Sequence, residues 1–179
     1  RNQVEHMART FIAGATVEEA APRLANLWQH GRAWSIDLLG EVTISDREAD
    51  RYRDRCVEAL TLLVREAALW PSLPLLERDH LGPIPRVQLS IKISALSPHL
   101  DPIDPEGSYH SVAARLRPIL DLAMRLPASL IFDMEQADTK ALLVEIFTRL
   151  FAESSYKDYP YAGLALQAYH LEPASDIEG

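Results

Sequence analysis

The chain has 179 residues, enough for one domain with a substantial core, and its 47% hydrophobic and 25% charged content is ordinary for a globular protein. A net charge of −8 argues against nucleic acid or an anionic membrane patch as the main partner. The single cysteine, Cys56, excludes an intrachain disulfide and a cysteine zinc site, and no apolar run approaches the roughly 18 residues that span a bilayer.

Residues 2–12 are expected to form a short helix ending at Gly14. Arg1 to Glu5 is mostly polar and carries no secretory signal, so the expected location is cytoplasmic. The chain opens on Arg1 without methionine and closes without an evident cap, which points to a fragment. Thr16 and Glu19 form a capping box that opens a helix to about His30. Ala33–Leu39 then reads as the first strand, followed by Gly40 and Glu41. A second capping box, Ser45 to Glu48, opens a long helix on which Ala49, Tyr52, Cys56, Leu60 and Leu63 recur at three and four. Pro71–Pro85 reads as a loop with short turns.

Val87–Leu96 is β-branched and aliphatic, a buried strand with Lys92 between two isoleucines. A buried ammonium is costly unless an anion faces it; taken alone, the pattern also fits an edge strand with a solvated lysine. A long proline-rich loop, Ser97–Gly107, leads to a helix marked by Val112, Leu116, Ile119 and Leu120. Leu130–Asp133 is the third strand, Ala141–Phe151 the third core helix and Leu164–Tyr169 the fourth strand.

Alternating strands and helices imply an α/β fold with parallel strands and right-handed crossovers. Leu39-Gly40-Glu41 is neither a GxGxxG nor a P-loop, which disfavours a dinucleotide-binding sheet. The expected architecture is a partial (βα)8 barrel. Residues 1–31 form a helical lead-in, and 32–179 form the first half-barrel, with strands near 33–39, 87–94, 129–133 and 163–168. Chemistry in such barrels sits at the carboxyl ends of strands, where this chain carries Asp37, Lys92, Asp133 and Gln167, with Glu41 and Glu135 just beyond. Each residue has a plainer alternative: Asp37 as a turn cap, Asp133 as a helix N-terminal acid, Gln167 as a surface residue of an edge strand. His99, His110 and His170 lack HxH or HExxH spacing, so no metal site is expected.

The motifs Asp37-Leu38-Leu39-Gly40-Glu41, Ser90-Ile91-Lys92-Ile93-Ser94-Ala95-Leu96, Phe132-Asp133-Met134-Glu135 and Leu166-Gln167-Ala168-Tyr169 resemble the first four strand motifs of the proline dehydrogenase family. Met7–Gly14 resembles the segment leading into that barrel. Asp101–Gly107 is similar to a loop of long members fused to an aldehyde dehydrogenase. The resemblance implies a flavoenzyme that uses FAD to oxidise L-proline to 1-pyrroline-5-carboxylate and passes electrons to a membrane quinone. It implies no membrane span and leaves peripheral association with the inner membrane open. By position it makes Lys92 the lysine that meets the substrate carboxylate, and Asp133 and Gln167 flavin contacts. Met134 and Ala165 would line the isoalloxazine, Glu41 would be a gating acid, and Asp37 shares Glu41's motif. The family's strand-five arginine, the flavin segment after it and the last-helix arginine pair have no counterpart here. The expectation is therefore that these 179 residues alone neither retain FAD nor oxidise proline, the missing half-barrel being needed. Two other readings use the same residues: a Schiff-base aldolase barrel built on Lys92, and a non-catalytic half-barrel that acts by association.

Overall fold

The computed structural model describes residues 12–39, 43–134 and 137–166. Residues 2–11 of the expected helix, together with Glu41, Glu135, Gln167 and His170, lie outside the described residues, and Ile12 is not helical. Four strands form one parallel sheet in the order β1 (Ile36–Asp37), β2 (Val87–Lys92), β3 (Ala128–Asp133) and β4 (Ala162–Ala165). Helix α1 (Val17–Gln29) precedes β1. The crossovers are α2 (Asp46–Ala67), α4 (Pro105–Arg125) and α5 (Lys140–Phe151), with a one-turn α3 (Pro74–Glu77) before β2. The architecture is a partial, unclosed α/β barrel.

At both expected capping boxes the N-cap bond forms, and the glutamate reaches back one residue beyond the N-cap. Thr16 Oγ1 accepts from Glu19 N–H and Ser45 Oγ from Glu48 N–H, while Glu19 and Glu48 reach back to the amides of Ala15 and Ile44. Asp104 caps α4 by accepting from Gly107 N–H at 2.9 Å. A Cβ at Gly107 would sit 2.2 Å from that carboxylate, so a larger residue there would push the Asp104 side chain out of its capping position.

The strands are two-faced because side chains alternate along them. Val87, Leu89 and Ile91 of β2 and Ala128, Leu130 and Phe132 of β3 are buried beneath the helices. Phe132 meets the rings of Phe147 and Phe151 edge-on at 5.5 and 5.9 Å. Gln88, Ser90 and Lys92, with Ser129, Ile131 and Asp133, occupy the opposite, concave face.

Several boundaries differ from the sequence expectation. The first strand is two residues rather than seven, pairing Ile36 with Leu89 and Asp37 with Ser90. The second ends at Lys92, and Ile93–Leu96 is a 3-10 turn. That turn is tied down by Thr43 Oγ1, which donates to Ser94 O, and by Arg115, which donates to Leu96 O. These side chains take main-chain acceptors that a continuing strand would have used. The fourth strand starts at Ala162, two residues before the expected Leu164. The proline-rich loop is shorter than expected because Pro105 serves as the first residue of α4.

Candidate active site

Parallel pairing in register places Lys92 beside Asp133 and Asp133 beside Ala165, and these three side chains share the concave face at the carboxyl ends of their strands. Asp37 stands one step lower, level with Ser90. From there its Oδ2 reaches Lys92 Nζ at 3.2 Å. The lysine side chain is only 15% exposed and the aspartate 39%. β2 is an interior strand, so Lys92 is not a solvated edge lysine. A half-buried ammonium is kept charged by the carboxylate that faces it.

Asp133 is oriented by a neighbour that sequence reasoning had not singled out. The buried Ser90 hydroxyl donates to Asp133 Oδ2 at 2.5 Å, across from strand to strand. Ser90 sits two residues before Lys92, and that spacing alone puts it on the same face. Ala165 is exposed and small, leaving space over the sheet beside Asp133. Met134, next in the alternation, is 4% exposed and belongs to the hydrophobic core, with its main-chain N–H donating to Ala165 O. The structure thus brings Asp37, Lys92, Asp133 and Ala165 to one rim, with Met134 immediately behind it.

A cavity of about 360 Å³ lies at the other end of the sheet, where Gln88, Ser129 and Gly163 meet Ile84 and Tyr161. Gln88 is four residues before Lys92, about 13 Å along the strand. No ion pair lines it among the described residues, and in barrels of this kind that end serves stability. The rim around Lys92 is the candidate site. Among the described residues no cluster of His, Cys, Asp or Glu could hold a metal ion.

A model of the family described as proline dehydrogenase matches residues 20–179. The chain belongs to the proline dehydrogenase family. It is 25% identical over 170 residues to proline dehydrogenase 1 of Bacillus subtilis, covering 95% of this chain and 47% of that protein. It is 23% identical over 163 residues to the bifunctional protein PutA of Escherichia coli, covering 91% of this chain and 12% of that protein. Among solved structures, proline utilization A from Bdellovibrio bacteriovorus, inactivated by N-propargylglycine, superposes with a TM-score of 0.94 at 34% identity. That match covers 98% of this chain and 18% of that one. The Bradyrhizobium japonicum protein of the same name gives 0.70 at 26% identity over 92% of this chain and 16% of that one. This family member therefore spans about half the length of its Bacillus relative.

Proposed function

We propose that these residues form part of a site that oxidises L-proline to 1-pyrroline-5-carboxylate, with FAD as cofactor and a membrane quinone receiving the electrons. The observation that carries the reading is the Lys92 ammonium, fixed 3.2 Å from Asp37 at the strand-end rim of a proline dehydrogenase family barrel. Proline presents a carboxylate, and a positioned cation in a half-buried site is the group that holds one. Asp37 keeps the ammonium charged and aimed.

The residues present suit a flavin. Asp133, held by Ser90, is an acceptor for a ring N–H, and the small, exposed Ala165 on the same face leaves room for a flat ring system. FAD, when bound, supplies the acceptor for the hydride that leaves the carbon beside the proline nitrogen. The chain's own groups bind and orient. Lys92 holds the carboxylate, Asp133 and Ala165 face the flavin with Gln167 as a further contact, and Met134 supports the rim from the core behind it. Glu41 and Asp37 complete the substrate side.

In this reading the rest of the rim comes from a second half-barrel, consistent with relatives about twice as long. The protein works in the cytoplasm, with peripheral contact to the inner membrane for quinone reduction. No helix among the described residues is long and apolar enough to cross a membrane. The Schiff-base alternative needs Lys92 as a neutral amine, which a carboxylate at 3.2 Å opposes.

The test is Lys92→Met in the full-length protein, which keeps the side-chain length and removes the charge. Loss of one charged hydrogen bond to the substrate corresponds to about 1.5–3 kcal/mol, a rise in KM for proline of roughly 10- to 100-fold with FAD content unchanged. An unchanged KM, or a wild-type protein that carries no flavin and does not oxidise proline, overturns the reading.

A further inference from the structure

One buried residue behind the rim has no place in the scheme above. Tyr52 lies on α2, is 5% exposed, and turns its hydroxyl toward the end of β2. The last registered pair between β1 and β2 joins Asp37 to Ser90, so the Lys92 amide lies two residues beyond that ladder. Tyr52 Oη accepts this amide at 3.0 Å. An unpaired buried N–H is costly, and here a side chain from the helical layer satisfies it at the residue where the chain leaves the strand for its 3-10 turn.

The surroundings keep this acceptor neutral. Burial pushes the Tyr52 phenol above its usual range, and burial pushes the Cys56 thiol, one turn along α2, up to about 12. Neither group offers a second anion to draw the Lys92 ammonium away from Asp37.

We propose that Tyr52 is the positioning residue for Lys92: by holding its amide, Tyr52 ends β2 where the ammonium meets Asp37 and so sets where the carboxylate-binding charge stands. The proposal rests on Lys92 as the substrate anchor, but its geometric part can be read without turnover.

The experiment compares wild type with Tyr52→Phe in the full-length protein. Phenylalanine keeps the ring and removes only the hydroxyl. Two readouts are taken: steady-state proline oxidation, and acylation of Lys92 relative to the exposed Lys157, with thiol labelling of Cys56 as the packing control. The expected result is KM for proline raised roughly three- to tenfold with kcat little changed, the ratio one hydrogen bond's net contribution represents. Lys92 acylation rises by a similar factor while the fully buried Cys56 stays unreactive. Lys92 labelling equal to wild type overturns the proposal. So does a parallel rise at Cys56, which marks Tyr52 as a packing residue only, or a lower kcat at wild-type KM. If wild-type protein does not oxidise proline, the functional reading falls, and the labelling still decides whether Tyr52 governs Lys92.

Discussion

Replacing Ser90 with alanine removes one hydroxyl from the concave face of β2 and leaves the rest of the sheet in place. That hydroxyl donates to Asp133 Oδ2 at 2.5 Å, and Ser90 is 6% exposed. A hydrogen bond to a charged group contributes about 1.5–3 kcal/mol net. Asp133 is half-buried at an open rim, where water replaces part of the lost bond, so the low end applies and Ser90→Ala is expected to cost about 1–2 kcal/mol. The assay is a double-mutant cycle by urea denaturation of the full-length protein: Ser90→Ala, Asp133→Ala and both together. With the carboxylate already gone, removing the hydroxyl is expected to cost under about 0.5 kcal/mol, giving a coupling energy of about 1 kcal/mol. A coupling within about 0.3 kcal/mol of zero refutes the argument that Ser90 orients Asp133.

Two further outcomes concern ion pairs that tie the helices together, one of them reaching the turn after Lys92. Arg115, 12% exposed, donates to Asp46 at 2.7 Å, to Asp50 at 2.8 Å and to Leu96 O at 3.3 Å, joining the start of α2 to the turn after Lys92. Solvent screens both carboxylates, so Arg115→Met is expected to cost about 1–2 kcal/mol in denaturant unfolding; a loss below about 0.5 kcal/mol would show that water fully replaces the arginine. On the outer face, the hydrogen bonds from Arg149 hold the Glu106 carboxyl down at about 2, with the Arg149 charge and His110 acting the same way. A lowered folded-state value means the contribution is in place above the ordinary carboxylate value of 4.5 and is lost as pH falls toward 2. Arg149→Met should flatten the fall in Tm across that interval; equal slopes in variant and wild type would sink the assignment.

The parts of the fold that local chemistry dictates were legible in the chain. Thr16 with Glu19 and Ser45 with Glu48 announce their helices three residues ahead, and the long helix shows its buried face by spacing alone. Strand ends were less legible because tertiary partners decide them. Nothing local in Ser90–Leu96 says that Lys92 is the last strand residue; Tyr52, 40 positions away, and Arg115, 19 residues beyond Leu96, settle it. The same holds for the site. Lys92 stands out as a charge among isoleucines, whereas Ser90 and Tyr52 look like ordinary strand and helix residues until the register is known. Ser90 could have been found by extending the alternation from Lys92; Tyr52 carried no such signal.

The division of the two faces explains how a site can be written onto this sheet at all. The helix-facing residues of β2 and β3 are closed from solvent, and removing one large side chain there, such as Phe132 between Phe147 and Phe151, belongs to a class of change that costs about 3–5 kcal/mol. The concave-face hydrogen bonds are each a fraction of that. Stability therefore resides mainly on one side of each strand and chemistry on the other, with alternation keeping them apart. Tyr52 is the exception. It lies in the helical layer but acts on the main chain between the two faces, so it can set the position of Lys92 without touching whatever the lysine binds.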